Sequence, residues 1–173
     1  MKKHIVSFSG GKDSTAMLLM MIEKQMQIDE IVCCDTGMEF PAMYRHWEKV
    51  EKHIDRKITI LKPDKSFEYY LAEHVKTKGK NKGKKGYGWP WLRTRWCTKA
   101  LKIKVINDYF KNSGEYSSYI GIASDESERQ FKSDGLKCET KKHPLIEWGI
   151  TEKEALQYCY DLGFFLGRFV RVF

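Results

Sequence analysis

The 173-residue sequence predicts an α/β fold: an open, mostly parallel five-stranded sheet with helices on both faces. Two observations carry that prediction. Short apolar runs alternate with helix-length segments at the spacing of βαβ crossovers. The loops after several of these runs are polar and glycine-bearing, as expected where an open parallel sheet exposes its carboxyl ends.

The elements follow in order. Residues 3–8, centred on His4-Ile5-Val6-Ser7-Phe8, read as the first strand, and the Met- and Leu-rich run over 14–26 reads as a helix. Asp29 to Cys34 is the second strand. Pro41, favoured in a first helical turn, opens a helix over 41–54 that leads to a third strand, Lys57 to Leu61. Ser66 to Lys76 reads as helical, and Thr77 to Gly88 as a flexible Gly/Lys loop. Helical character resumes over Thr98 to Lys111. Tyr116 to Ala123 is the fourth strand and Lys141 to Trp148 the fifth. Thr151 to Tyr160 is a helix begun by a capping box, Thr151 with Glu154.

A chain of this length suits one domain, read here as residues 1–163 with a basic loop at 76–91. Residues 164–173 form an apolar tail, expected to be a C-terminal region cut short. The first residues, Met-Lys-Lys and a brief apolar stretch, make no signal segment or membrane span, so a cytoplasmic protein with no membrane partner is expected. Five cysteines without a Cys-x-x-Cys pair argue against a disulfide framework or a self-contained metal site.

Net charge is +8, and it is concentrated. Lys76 to Lys104 holds nine lysines and two arginines with no acidic residue, against 20 basic and 23 acidic residues elsewhere. That asymmetry points to a polyanionic partner, nucleotide phosphates or nucleic acid, with a solvated surface loop as the plain alternative.

The segment Ser9-Gly10-Gly11-Lys12-Asp13-Ser14 lies between the first strand and the first helix. Adjacent glycines let the backbone turn sharply and approach a ligand. The turn empties into a helix N-terminus, whose unpaired N–H groups attract an anion. Ser9, Ser14 and Thr15 add hydroxyls, and Lys12 adds a positive charge. The chemistry is that of a phosphate cradle, against the alternative of an ordinary Gly-Gly turn. Asp35 and Thr36, after the second strand, suit ribose hydroxyls or a hydrated Mg²⁺, or else simply build a capping turn. Arg93, Arg95, Lys99, Lys102 and Arg129 can clamp phosphate or sulfate oxygens, or remain surface charges. Cys97 lies among Arg93, Arg95 and Lys99, with Thr98 placed to cap the next helix. That setting favours a thiolate; a packed structural thiol is the equal alternative. Cys33 and Cys34 read as packing residues in an apolar strand. Trp89, Trp91 and Trp96 can stack on a base or anchor their loop.

Ser-Gly-Gly-Lys-Asp-Ser resembles the PP-loop of the ATP pyrophosphatase superfamily. Asp35-Thr36-Gly37 with Glu39-Phe40-Pro41, Cys97 followed by Lys99, Gly121 to Arg129 and His143-Pro144-Leu145-Ile146-Glu147-Trp148 resemble, in order, the motifs of the phosphoadenosine phosphosulfate (PAPS) reductase-like family. The resemblance spans most of residues 4–150. It implies an adenine nucleotide alpha hydrolase-like fold. It implies nucleotide-binding residues Ser7, Ser9, Gly10, Gly11, Lys12, Asp13, Ser14, Asp35, Thr36, Gly37, Arg93, Lys102, Gly121, Asp125 and Arg129. Catalytic roles fall on Lys12, Asp13 and Cys97, and Mg²⁺ ligation, with ATP or PAPS bound, on Asp13 and Asp35. The family's reductases place a catalytic Cys in a Glu-Cys-Gly-x-His segment that this sequence lacks. Related phage and genomic-island members continue past a Tyr-Asp-Leu-Gly-Phe segment, here Tyr160 to Phe164, into a Cys cluster. Cys97 is thus an iron–sulfur ligand only in an intact relative, and no cluster is expected in this chain.

Three readings stand together. The first is a PAPS reductase-like enzyme acting on PAPS, adenylyl sulfate or ATP, with a thioredoxin-like reductant. The second is an ATP-dependent adenylylating or sulfur-transfer enzyme modifying tRNA or DNA. The third is a nucleotide-binding remnant without turnover. A homodimer is the expected assembly.

Overall fold

A computed structural model describes residues 2–91, 95–131 and 136–165. Its five strands are β1 (Lys3–Ser7), β2 (Glu30–Cys34), β3 (Thr59–Leu61), β4 (Tyr116–Ile120) and β5 (Glu139–Lys142), in the order β3-β2-β1-β4-β5. All run parallel, and the predicted fold class holds. In register, Ile5 of β1 faces Glu30 of β2 and Ser118 of β4, and Ser118 in turn faces Lys141 of β5.

Helix α1 (Lys12–Glu23) buries Ser14 through Met21 without interruption, so it is enclosed on all sides. Helix α2 (Pro41–Ile54) is amphipathic instead. It buries Met43, Trp47, Val50 and Ile54, one stripe at helical spacing, and Asp55 closes it in the left-handed conformation. Short helices α3 (Trp96–Thr98), α4 (Lys104–Phe110) and α5 (Pro144–Glu147) precede α6 (Glu152–Asp161). The capping box of α6 forms as predicted: Glu154 N–H donates to the Thr151 hydroxyl, and the Glu154 carboxylate accepts from Thr151 N–H.

Several predicted elements are corrected. The fifth strand spans residues 139–142 rather than 141–148. Pro144 has no N–H to give a ladder and has φ suited to a helix start, so the chain turns into α5 there. The helix predicted over 66–76 runs over 67–73, π-helical over Tyr69–Glu73, and ends where His74 becomes extended. The Gly/Lys stretch is tied down. Val75 bridges Lys85 in antiparallel pairing, Lys76 N–H donates to Lys84 O, and Gly83 N–H donates to Lys76 O. The helix expected from Thr98 begins at Trp96 and widens into a π-helical turn, Lys99–Ile103, before α4. Thr98 lies inside this helical run and caps nothing. Helix α1 covers residues 12–23, not 14–26, while β3 and β4 are shorter than expected.

The contacts define two compact units. One comprises residues 1–33, 40–59 and 113–173; the other comprises 34–39 and 60–112. The main hydrophobic core lies in the first unit, formed by Val6 and Phe8 with the buried faces of α1, α2 and α6. Phe164 is buried there, with His46 and His53 edge-on to its ring. No helix among the described residues is long and apolar enough to cross a membrane.

Candidate nucleotide site

In the first unit, β1 ends at Ser7 and the chain turns through Ser9, Gly10 and Gly11 into α1. The loop is closed by its own hydroxyls. Ser9 Oγ lies 3.0 Å from Ser14 Oγ, Ser14 Oγ donates to Gly11 O at 3.0 Å, and Ser9 N–H donates to Ser14 Oγ at 3.3 Å. Gly10 has φ of +79°, and a Cβ there would lie 2.3 Å from Trp47 Nε1, so only glycine fits. Helix α1 has no side-chain cap at its N-terminus. Its first-turn N–H groups and the positive end of its dipole therefore remain the local anion-attracting feature.

The Gly121 backbone packs directly on this helix start. A Cβ at Gly121 would lie 2.7 Å from both Cα and N of Ser14. The end of β4 is thereby pressed against the backbone at the start of α1, which explains the glycine at a position with no unusual φ.

Lys12 does not extend free into the loop. Its ammonium contacts the Asp13 carboxylate at 3.0 Å and Glu152 Oε1 at 2.5 Å. Partial burial pulls the Lys12 pKa down, but the bonds to Glu152 and Asp13 outweigh it and raise it overall. For Asp13, burial dominates and pushes the carboxyl upward despite Lys12. Asp13, Glu126 and Glu152 bring carboxylate oxygens within 4.8 Å of one another. Three clustered carboxylates fit the oxygen-ligand chemistry of Mg²⁺.

Asp125 accepts a hydrogen bond from Glu152 N–H at 3.0 Å and so holds the start of α6. Arg129 pairs with Glu126. Glu126 and Glu152 are the members of the cluster that the nucleotide-site reading of the sequence missed. Glu152 sits beside a capping box and reads as a helix starter; nothing local links it to a lysine 140 positions earlier.

In the second unit, Asp35 is buried and its Oδ1 accepts from Gly37 N–H at 2.8 Å. Thr36 Oγ1 accepts from Met38 N–H and donates to Glu39 Oε1. Asp-Thr-Gly thus forms a local polar turn that caps no helix, since α2, with Phe40 at its N-cap, has no side-chain cap; Lys62 lies 3.7 Å from Asp35 and Lys102 3.7 Å from Glu39. Asp35 and Asp13 belong to different units. Cys97 is half-buried in the first turn of α3, with Arg95 and Lys99 exposed beside it in sequence. Arg93 lies outside the described residues, as do residues 166–173 of the expected tail. Burial pushes the Cys34 thiol up to about 11 and that of Cys159 to about 12, so both are packing thiols. Cys33, buried in β2, matches the packing expectation. No disulfide joins any of the described cysteines.

The family model described as the phosphoadenosine phosphosulfate reductase domain matches residues 3–163. The nin region protein ORF290 of Escherichia phage lambda is 28% identical, over 92% of this chain and 63% of its own length. An uncharacterized protein of Methanocaldococcus jannaschii is 26% identical, over 94% of this chain and 34% of its own length. The chain thus spans about a third to two thirds of these relatives. Among solved structures, the PAPS reductase of Candida auris in its phosphate complex superposes with a TM-score of 0.59 at 18% identity, covering 92% of this chain and 72% of that one. The U34-tRNA thiolase NcsA of Methanococcus maripaludis, with its [4Fe-4S] cluster, gives 0.56 at 16%, covering 96% and 59%. These two similarities concern the fold.

Proposed function

Because this chain belongs to the phosphoadenosine phosphosulfate reductase domain family, we propose that it binds an adenine nucleotide through residues 9–14 and acts on PAPS, adenylyl sulfate or ATP. The observation that carries the reading is the uncapped N-terminus of α1, ringed by Ser9, Gly11 and Ser14 and backed by Gly121. Phosphate oxygens accept from the first-turn N–H groups there. On nucleotide binding Lys12 exchanges a carboxylate partner for phosphate. Mg²⁺, where the reaction uses it, is held by Asp13 with Glu126 and Glu152 and neutralises phosphate charge.

Replacing Lys12 and Ser14 together by Ala is expected to weaken ATP or adenylyl-sulfate binding at least tenfold, about 1.4 kcal/mol. The loss has two sources: a charged phosphate contact disappears, and Asp13, Glu126 and Glu152 keep no ammonium among them. Calorimetry is the measurement, and an unchanged affinity removes the proposal.

Product identity separates the readings. In the reductase reading a thiolate displaces the nucleotide from the sulfuryl sulfur, and a dithiol reductant releases sulfite as it becomes a disulfide. We assign the thiol to Cys97, the half-buried cysteine in the cationic stretch. Cys97→Ser is expected to abolish thioredoxin-linked sulfite release while nucleotide affinity stays within twofold. Sulfite release that survives the substitution refutes the assignment. In the transferase reading, favoured by the basic hairpin at residues 75–85, ATP with Mg²⁺ and tRNA or DNA yields AMP and pyrophosphate independently of Cys97. Nucleotide binding with neither product identifies a protein that binds without turnover.

A further inference from the structure

The basic segment of the second unit, whose charge the transferase reading draws on, carries a built surface that shares no residue with the candidate phosphate loop. Lys78, Lys80, Lys82, Lys84 and Lys85 are all exposed on the hairpin closed by the Val75–Lys85 bridge. No acidic residue stands between Glu73 and Asp108 in the sequence, and among the described residues none of the five lysines is in an ion pair. The hairpin is seated on a cluster of rings rather than hanging in solvent. Gly86 N–H donates to His74 O, Tyr87 N–H to Tyr70 O and Gly88 N–H to Leu71 O. Tyr70, Tyr87 and Trp96 form a three-ring cluster, with the Tyr87 centroid 6.4 Å from Tyr70 and 5.7 Å from Trp96, these two 6.1 Å from each other, and His74 4.8 Å from Tyr87. Trp96 also packs on Phe67 at 5.0 Å and donates its indole N–H to Gly88 O.

This cluster ends in solvent. Trp89 meets Phe67 edge-on yet stays 65% exposed, and Trp91, across the buried Pro90, is 62% exposed. Two tryptophans held open on a supported loop beside unpaired lysines combine the two contacts that a flexible polyanion with π-faces needs. The cations follow phosphates, and the indoles receive unpaired bases. A duplex keeps its bases stacked inside and offers only the first contact.

We propose that the lysine hairpin with Trp89 and Trp91 is a docking surface for single-stranded nucleic acid. It uses none of the residues of the candidate phosphate loop, so it stands or falls separately from the nucleotide reading.

The test is fluorescence anisotropy of a labelled 20-nucleotide oligo(dT) with the full chain over a range of salt. Engaging five lysines gives a slope of log affinity against log salt of about −3.5, and replacing Lys80, Lys82, Lys84 and Lys85 by Gln flattens it by about 3. Trp89→Ala lowers affinity at least fivefold with the slope unchanged, because it removes stacking and not charge. Both variants keep wild-type circular dichroism and ATP affinity, which separates a failed surface from a failed fold or nucleotide site. Absence of oligo(dT) binding, a slope untouched by the lysine replacements, no effect of Trp89→Ala, or equal affinity for a 20-base-pair duplex each overturns the proposal.

Discussion

Gly121→Ala is expected to cost about 2–3 kcal/mol of stability and at least tenfold in nucleotide affinity, although it adds a single methyl group. The new Cβ would sit 2.7 Å from Ser14 Cα and N and 2.8 Å from Asp13 C. These are backbone atoms of the first turn of α1, which is buried from Ser14 to Met21 and cannot slide away. Either β4 or the helix start must move. Moving the helix start displaces the N–H groups proposed to receive phosphate, and a small misplacement of a positioning group is costly. Urea unfolding and calorimetry measure the two effects together. An unchanged unfolding midpoint with unchanged affinity would show that the end of β4 yields at no cost.

Acid should destabilise the fold through His46, about a residue's breadth from the candidate phosphate loop. His46 Nε2 lies 3.0 Å from Thr15 Oγ1, and its ring lies near Phe8 and Phe164. Burial, with a smaller contribution from Lys49, pulls its pKa from 6.5 down to about 4. The unfolded chain therefore takes up a proton as pH falls through 6.5, while the folded chain refuses it until about pH 4. In that window the unfolded state binds more protons, so stability falls with falling pH. The full shift corresponds to about 3 kcal/mol, and solvent screening of a half-buried ring reduces this to about 2 kcal/mol. His46→Gln keeps a hydrogen-bonding partner for Thr15 and removes the titration. Urea midpoints between pH 4 and 7.5 should therefore converge in slope on the carboxylate background in the variant and fall more steeply in the parent. Parallel slopes would show that His46 is already accessible to protons in the folded state.

The parts of this protein that the sequence determines are those written in neighbouring residues. Apolar β-branched runs such as Ile5-Val6 and Ile31-Val32 find the central strands, because strand preference and burial reside in the same few side chains. Pro41 and the Thr151–Glu154 box mark helix starts because capping is settled within one turn. The candidate phosphate loop is legible for the same reason: its glycines, hydroxyls and helix start are contiguous. Even within this reach, Pro144 carried a strand-stopping signal that the apolar run after it obscured.

The tertiary structure decides what depends on partners far apart in the chain. Lys12 meets Glu152, Asp125 accepts from the N-terminus of α6, and Gly121 is required by the backbone of Ser14. The lysine-rich stretch, whose composition reads as a flexible loop, is held because the carbonyls of His74, Tyr70 and Leu71 accept from Gly86, Tyr87 and Gly88 and the rings of His74 and Tyr70 pack on Tyr87. A charged or small side chain has many possible partners, and sequence pattern records its type but not which one comes within hydrogen-bonding distance. That choice is made when the sheet and helices pack, since a buried polar group must then be paired with whatever the fold places beside it.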